Sequence, residues 1–238
     1  MIIGVILARA GSKRIPHKNR RLLGGHPLVL WSLEAARQSV LDRLVTSTDD
    51  PEILEMAEEF GYAIPRPPEL AGDDAPDAPA IRHALEAIQP SGYQDDDLVV
   101  HLRPTAPFRS SADINEVVKR LQRLPADSLI SVRPATSHPK KCFVETGETI
   151  GIFPELVAYT GASALGEPSQ GLPRVWHAAG FVDAAKVGSF LREGRVDCGV
   201  VMGWPVPADR DADLDMESDW IAAEALAIEK GWRPGTVG

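Results

Sequence analysis

Two clusters of opposite charge lie near the two ends of the 238-residue chain. Six basic residues fall between positions 9 and 21: Arg9, Lys13, Arg14, Lys18, Arg20 and Arg21. Six carboxylates fall between positions 209 and 219: Asp209, Asp211, Asp213, Asp215, Glu217 and Asp219. Clustered cations can neutralise an oligophosphate, and closely spaced carboxylates can hold a divalent cation. We therefore interpret the two clusters as candidate halves of one site.

The basic cluster begins in a loop that follows an apolar run over residues 2–8 and reads ARAGSKRIPHKN from position 8 to 19. This loop has neither the glycine spacing of GxGxxG nor the Gly-Lys-Ser/Thr ending of a Walker A loop, which disfavours a dehydrogenase or a P-loop kinase. Gly11 would permit close backbone approach and Ser12 offers a hydroxyl, while Arg9, Lys13 and Lys18 supply cations. This set suits a triphosphate, and a solvated basic loop is the alternative.

Within the acidic cluster, Asp213 and Asp215 are two residues apart, so in an extended segment both side chains would point to one side. Such a pair could share one Mg²⁺, which takes oxygen ligands and commonly combines one or two carboxylates with substrate phosphates and waters. The alternative is that Asp215 caps a helix starting near Met216. We expect Asp209 and Asp211 in a solvated turn.

A doubly wound α/β sheet is predicted to position these clusters. Apolar runs that are typical of strands buried on both faces occur at 2–8, 44–48, 98–102, 129–132 and 198–202. Helical patterns alternate with them at about 27–39, 51–60, 78–89, 112–123, 184–193 and 216–230. Ligands bind beyond the carboxyl ends of parallel strands, where the basic loop would lie. Residues 133–174 break the rhythm and are predicted as an excursion from the sheet, which could carry part of a site, a subunit contact or a plain surface loop.

Composition limits the function classes. With 44% hydrophobic and 25% charged residues the chain is predicted to be globular, and its net charge of −9 argues against a nucleic-acid or anionic-membrane binder. Cys142 and Cys198 show no metal-ligand spacing, which favours a reducing cytoplasm. The first apolar run is too short to span a bilayer, and its charges follow it instead of preceding it as in a signal peptide.

The segment 8–13, with Ile15-Pro16 and Lys18-Asn19, resembles the signature loop of the acylneuraminate cytidylyltransferases, the CMP-sialic acid synthetases and their relatives. Further matches follow in the same chain order, at 47–50, 66–73, 104–109, 138–141 and 213–219. The resemblance implies a three-layer Rossmann-like α/β nucleotidyltransferase fold with a mostly parallel mixed sheet. It also implies a single domain over residues 1–238, with an insertion at about 134–176 that serves dimerisation and substrate binding in a homodimer.

The resemblance further implies a Mg²⁺-dependent enzyme that transfers CMP from CTP to the hydroxyl of an acidic, sialic-acid-like nonulosonate and releases pyrophosphate. The predicted nucleotide-binding residues are Arg9, Ala10, Gly11, Ser12, Lys13, Lys18, Asn19, Arg66 and Asp77, of which Arg9 and Lys18 are also predicted to be catalytic. Asp213 and Asp215, at the position of the family's metal motif, are predicted to be catalytic and to bind the metal. The predicted acceptor-binding residues are Arg103, Thr105, Lys141 and Gln170. Transfer to another acceptor, transfer from another nucleoside triphosphate, and a non-catalytic nucleotide-binding module are the alternatives.

Three departures from the family pattern concern specificity. Arg103 stands where the family usually has glutamine, and Ser169 stands where it has an arginine associated with the acceptor carboxylate. We therefore expect Arg103 to supply that contact, which is worth about 1.5–3 kcal/mol. Asp77 stands where a serine near the base is frequent, and we expect this carboxylate to alter the choice of nucleotide.

Two residues around the third strand are open to more than one interpretation. His101 lies in an apolar strand run, and we expect a satisfied core or strand-end histidine more than a base. Arg109 follows the same strand, where a functional role is favoured, and an arginine that caps or pairs on the surface is the alternative.

Overall fold

The computed structural model of the chain describes residues 1–88, 92–150, 153–161 and 164–237. Two compact units are present: a large unit, Met1–Val132 with Ala179–Gly238, and a small unit, Arg133–Ala178. The helices and strands, in chain order, are β1 (Ile2–Leu7), β2 (Leu22–Leu23), β3 (His26–Pro27), α1 (Leu28–Arg37), β4 (Arg43–Thr48), α2 (Pro51–Glu58), β5 (Tyr62–Pro65), α3 (Asp77–Ala87), β6 (Leu98–His101), α4 (Ser111–Leu121), β7 (Ser128–Pro134), β8 (Phe143–Ile150), β9 (Phe153–Ala158), β10 (Trp176–Ala178), β11 (Asp183–Lys186), α5 (Val187–Glu193), β12 (Val201–Pro205) and α6 (Glu217–Lys230).

The sheet of the large unit is mixed and mostly parallel, as predicted. Its strands run in the order β7, β11, β6, β1, β4, β5, and β12 pairs with β7. The pairs β1–β4, β1–β6, β4–β5 and β7–β12 are parallel, whereas β11 is antiparallel to both β6 and β7. The carboxyl ends of β1, β4 and β6 therefore meet at one edge, which places the loops after these strands side by side.

Helices cover both faces of this sheet and give three layers. On one face, apolar side chains of α1, α2 and α4 pack in a single cluster that includes Leu33, Ile53 and Ile114. On the other face α3 and α5 contribute Ile81 and Phe190 to a second cluster. Burial of the sheet on both faces explains why its strands are apolar at nearly every position.

A third apolar cluster fastens α6 to α1 and to the loop after β6. It contains Trp31, Phe108, Leu214 and Trp220, all at most 3% exposed. The Trp31 and Phe108 rings meet edge to face with centroids 5.4 Å apart. The position of Leu214 in this cluster fixes the backbone between Asp213 and Asp215.

Several element boundaries differ from the sequence-based prediction. The helix predicted over 184–193 is wrong at its start, because residues 183–186 form β11 and the helix begins only at Val187. The alanines of this DAAK segment favour a helix by propensity, but the pairing of β11 with both β6 and β7 overrides that preference. The last strand lies at 201–205, three residues later than predicted, and β5 was not predicted. The predicted end of α3, residue 89, lies outside the described residues.

The small unit contains the predicted excursion from the rhythm of strands and helices. Its main feature is the antiparallel hairpin of β8 and β9, whose register is irregular between Glu145 and Thr149. No hairpin was predicted here, because the prolines and the lack of a clean period masked the strands. Among the described residues, no helix has the length and apolar character needed to cross a bilayer.

Candidate active site

The basic loop is anchored to the end of β4. The Ala8 amide donates to the Ser47 carbonyl at 3.0 Å, and the Thr48 hydroxyl donates to the Ala8 carbonyl at 2.5 Å. The Ala10 amide donates to a carboxylate oxygen of Asp49 at 2.7 Å. The start of the loop is therefore held by three contacts before any ligand binds.

Asn19 closes the loop from its other end. Its side-chain amide donates to the Arg9 carbonyl at 3.0 Å, and the side chain is nearly buried. Apart from its two chain neighbours, no described residue has an atom within 4 Å of the position that a Cβ on Gly11 would occupy, so the space beside that glycine is open. The loop is thus braced by Asn19 and accessible at Gly11.

Asp73 pairs with two of the predicted phosphate-binding cations. Its carboxylate lies 2.8 Å from Arg9 Nη1 and 2.7 Å from Lys13 Nζ. The hydrogen bond from Lys13 is the main cause that holds the pKa of Asp73 below its usual range, and the charge of Arg9 adds to it. In the sequence Asp73 is only the last residue of the matching segment 66–73, and its contacts with the loop depend on the fold.

Lys18 joins the basic loop to the acidic segment at the other end of the chain. Its ammonium donates to the Leu214 carbonyl at 2.8 Å and lies 3.4 Å from Asp215 Oδ1. Arg14 lies 3.4 Å from the other oxygen of Asp215, and Arg21 makes a two-pronged ion pair with Glu217. The two charged clusters thus meet at one edge of the sheet.

The acidic segment is a turn and not a plain extended strand. The Asp215 amide donates to the Asp213 carbonyl at 3.2 Å, and the buried Leu214 between them donates its amide to the Thr105 carbonyl at 2.9 Å. The N-cap of α6 is Met216 and not Asp215, and Asp219 in the first turn accepts hydrogen bonds from the Asp215 and Met216 amides. The Asp215 carboxylate is therefore left at the surface, where 53% of the side chain is exposed.

The donor chemistry of this segment fits Mg²⁺. Asp213 and Asp215 offer carboxylate oxygens, and the ion pairs of Asp215 with Arg14 and Lys18 are long enough, at 3.4 Å, to be exchanged. Within the part of the chain that the structure describes, no group of three or more His, Cys, Asp or Glu side chains could hold a metal ion. An ion at Asp213 and Asp215 would therefore need oxygens from waters and a substrate phosphate, a pattern common for Mg²⁺.

A cavity of about 230 Å³ opens between the ends of β1 and β6. It is lined by Leu7, Arg9, Gly11, Ser12, Lys18, Asn19, Asp77, His101, Arg103, Pro104 and Thr105. Eight of these residues were predicted from the sequence as nucleotide-binding or acceptor-binding residues, and Leu7, His101 and Pro104 were not. The fold thus gathers most of the predicted site around one space.

Arg66 serves the architecture of the site in this structure. It is buried, and its guanidinium donates to the Ser47 hydroxyl at 3.1 Å and to the Ser47 carbonyl at 2.7 Å. Burial lowers the pKa of Arg66, which the carboxylates of Asp49 and Asp77 partly oppose. Its contact with the nucleoside stays a prediction.

Arg103 and Asp77 face each other across the cavity wall. Arg103 Nη2 lies 3.1 Å from Asp77 Oδ2, and both side chains are nearly half exposed. Gly180, with a φ of +63°, lies beneath the arginine, and a Cβ there would approach Arg103 Cδ to 2.7 Å. The arginine therefore lies over a glycine that no larger residue could replace without moving it.

Arg109 is a buried clamp and not a surface arginine, which corrects the surface alternative. It is 1% exposed, and its guanidinium donates to the carbonyls of Arg103 and Ala106 and to the Ser32 hydroxyl. Burial lowers the pKa of Arg109 to about 9. The clamp fixes the turn that carries Arg103 and Thr105 into the cavity.

His101 is a buried strand-end histidine at the end of β6, as expected, but its hydrogen-bonding capacity is not satisfied as predicted. Its Nδ1 has no hydrogen-bond partner among the described residues, although the side chain is only 2% exposed. Burial lowers its pKa to about 3, with Asp77 opposing and Arg103, Arg109 and Arg66 adding to the shift. His101 is therefore neutral at physiological pH and is a poor proton acceptor.

The two remaining predicted acceptor residues belong to the small unit. The Lys141 ammonium donates to the Glu167 carbonyl at 2.9 Å. Gln170 is exposed and lines a cavity of about 350 Å³ within that unit. Their roles in acceptor binding stay predictions.

The sheet, covered by helices on both faces, carries a basic loop after its first strand and an aspartate pair at the same edge. This arrangement is suited to nucleotidyl transfer. Comparison with known proteins agrees: a family model described as cytidylyltransferase matches residues 3–149. The chain belongs to this cytidylyltransferase family, as predicted from its sequence.

Individual relatives support the same assignment. The chain is 36% identical over 144 residues to a CMP-N,N'-diacetyllegionaminic acid synthase of Legionella pneumophila, which covers 59% of this chain and 61% of the relative. It is 40% identical over 125 residues to an N-acylneuraminate cytidylyltransferase of Escherichia coli, which covers 52% of this chain and 29% of the relative. The matched regions thus span less than two thirds of either relative.

A solved structure confirms the predicted fold class. CMP:2-keto-3-deoxy-manno-octonic acid synthetase, complexed with CTP, superposes with a TM-score of 0.66 over 96% of this chain and 99% of that one, at 16% sequence identity. The likeness supports the predicted Rossmann-like α/β fold.

Proposed function

We propose that the protein transfers CMP from CTP to the hydroxyl of an acidic, sialic-acid-like nonulosonate sugar and releases pyrophosphate. The observation that carries this proposal is the contact of Lys18 with the Leu214 carbonyl and Asp215, which joins the basic loop to the acidic segment at the cavity. Family membership and relatives named for CMP transfer to sugar acids support it.

The basic loop would bind the triphosphate. Arg9, Ser12 and Lys18 line the cavity, and Lys13 extends beside it with 78% of its side chain exposed. Arg9 and Lys13 are paired with Asp73 in the structure, and we propose that they exchange this carboxylate for phosphate oxygens, which carry more charge. Lys18 would stabilise charge on the phosphates as the reaction proceeds.

The reaction forms a bond between the acceptor oxygen and the α-phosphorus of CTP and breaks the bond from that phosphorus to the bridging oxygen of pyrophosphate. The acceptor hydroxyl releases its proton to water, and pyrophosphate leaves with the bonding electrons. We propose that Asp213 and Asp215 hold Mg²⁺, which would polarise the α-phosphate. Most of the catalysis would then come from positioning and from charge neutralisation.

We further propose that the small unit mediates a homodimer. Its hairpin exposes several large apolar side chains to between 42% and 52%: Phe143, Val144, Leu156 and Val157. Such a concentration of apolar surface is typical of an interaction site. The two free thiols favour a cytoplasmic location.

Pyrophosphate release tests the activity. The protein would be mixed with Mg²⁺, with CTP, UTP, GTP or ATP, and with a panel of sugar acids that begins with N-acetylneuraminic acid. Release with CTP and a nonulosonate supports the proposal, and release with another nucleotide or acceptor identifies the alternative. A nucleotide-dependent rise in Tm without any release would instead indicate a nucleotide-binding module.

A further inference from the structure

One cationic side chain that lines the cavity, that of Arg103, does not belong to the phosphate-binding loop. Arg9 and Lys18 belong to the segment after β1, whereas Arg103 follows β6. Arg9 is held by Asp73 and Lys18 by the acidic segment, and Arg103 has a carboxylate of its own in Asp77. Cationic side chains from two separate segments therefore line one cavity. Such a cavity suits two ligands that each carry an anionic group.

The surroundings of Arg103 form a built site. Its backbone carbonyl is clamped by the buried Arg109, and its side chain lies over the bare backbone of Gly180. The neighbouring His101 is buried and neutral, so it does not compete for the charge of the arginine. The guanidinium is therefore directed into the cavity by fixed backbone on two sides.

The pairing of Arg103 with Asp77 is weak enough to be exchanged. Arg103 Nη2 lies 3.1 Å from Asp77 Oδ2, and 46% and 43% of the two side chains are exposed. Exposed ion pairs of this kind contribute little to stability. A ligand carboxylate can accept two parallel hydrogen bonds from a guanidinium and would replace Asp77 in this exposed pair.

We propose that Arg103 and the bare backbone of Gly180 form the subsite that binds the carboxylate of the acceptor acid, and that this carboxylate displaces Asp77 from the arginine. This inference rests on the proposed function and names its specificity-determining residue. It limits the acceptors to sugar acids in which the carboxylate is close to the reacting hydroxyl, as in a 2-keto acid in its ring form. It also explains how a chain with Ser169 at the position of the family's arginine can still recognise an acid.

Direct binding tests the subsite without turnover. The protein would be saturated with a CTP analogue that has a methylene group between its α- and β-phosphates, and titrated with N-acetylneuraminic acid, other 2-keto sugar acids and their methyl esters. Arg103→Gln should weaken binding of the preferred acid at least about 10-fold, because a charge-assisted contact is lost. Binding of the uncharged ester should change less than about 2-fold, since the ester never had that contact.

A matched control and a partner variant complete the test. Arg120→Gln removes an exposed arginine that pairs with Glu116 on α4 and does not line the cavity, so it should leave binding unchanged. Asp77→Asn should tighten acid binding by up to about 5-fold, because the competing carboxylate is gone. The Kd of the CTP analogue, measured for each variant without the acid, separates effects on the nucleotide.

The outcomes distinguish this inference from the proposed function. Equal losses for acid and ester, no loss in Arg103→Gln, no binding of any acid to the wild type, or weaker acid binding in Asp77→Asn would each overturn it. Arg103-dependent binding without pyrophosphate release in the wild type would retain the subsite and reject the transferase. Release of pyrophosphate with an acid whose KM is unchanged in Arg103→Gln would retain the transferase and reject the subsite.

Discussion

The ammonium of Lys18 lies 2.8 Å from the carbonyl oxygen of Leu214, 196 residues further along the chain. This contact links the basic loop to the loop after β6, because Leu214 in turn donates its amide to the Thr105 carbonyl in that loop. Three segments that are remote in sequence are thus joined through one buried leucine. The arrangement has measurable consequences.

Lys18→Met removes both the charge at the cavity and the donor to Leu214. We expect kcat/KM for CTP to fall at least about 100-fold, since a fixed donor to developing charge is worth about 3 kcal/mol or more. Lys18→Arg keeps the charge and should retain part of the activity. Lys119→Met, on the exposed side of α4, is the control and should leave kcat/KM unchanged. A Lys18→Met protein with wild-type kcat/KM would remove Lys18 from the mechanism.

Asp215→Asn should abolish the dependence of the rate on Mg²⁺ and lower kcat at least about 100-fold, because the carboxylate proposed as a metal ligand is lost. The same substitution at Asp209, which is exposed in the neighbouring turn, is the matched control. Because the proposed metal ligands are two carboxylates, Mg²⁺ alone should raise Tm little, whereas Mg²⁺ with CTP should raise it clearly. Strong binding of Mg²⁺ to the protein without nucleotide would contradict this.

His101 gives the protein a specific dependence of stability on pH. Its pKa falls from 6.5 to about 3 on folding, so between these values the unfolded chain binds a proton that the folded chain does not. The free energy of unfolding should therefore decrease as pH falls below 6.5, by about 1.4 kcal/mol per pH unit from this group. Above pH 6.5 the contribution of His101 is constant.

Urea unfolding of the wild type and of His101→Leu between pH 4.5 and 7 measures this contribution. The difference between the two proteins isolates His101, because the raised pKa of the buried Asp183, which acts in the opposite direction, is present in both. The variant should lose stability less steeply toward pH 4.5. Parallel curves for the two proteins are the result that would exclude this role.

Arg109→Met should lower the free energy of unfolding by about 2–4 kcal/mol, because buried carbonyl acceptors lose their donor. The KM of the acceptor should rise as well, since the turn that carries Arg103 loses its clamp. Arg120→Met, an exposed substitution on α4, should change stability by at most about 0.5 kcal/mol. Chemical denaturation and acceptor kinetics on the same preparations check both effects, and an unchanged KM in a folded Arg109→Met protein would show that the clamp serves stability alone.

Local patterns predicted much of the fold and of the candidate site. Strands buried on both faces were recognised by their continuous apolar runs, and the loop from Arg9 to Asn19 by its residue types and their order. The strand at 183–186 and the hairpin of the small unit were not predicted, because pairing with distant partners decides their structure more than local propensity does.

The sequence by itself determined which groups this protein has for chemistry: a basic loop, a pair of aspartates two residues apart, and Arg103 at a position where the family usually has glutamine. Only the tertiary structure decided which of them act together. It pairs Arg103 with Asp77, buries Arg109 against the Arg103 carbonyl and joins Lys18 to Leu214, contacts that span up to 196 residues. The physical reason is that burial and charge pairing depend on distance in space. The opposite charges at the two ends of the chain therefore became one site only when the parallel sheet brought its strand ends to a common edge.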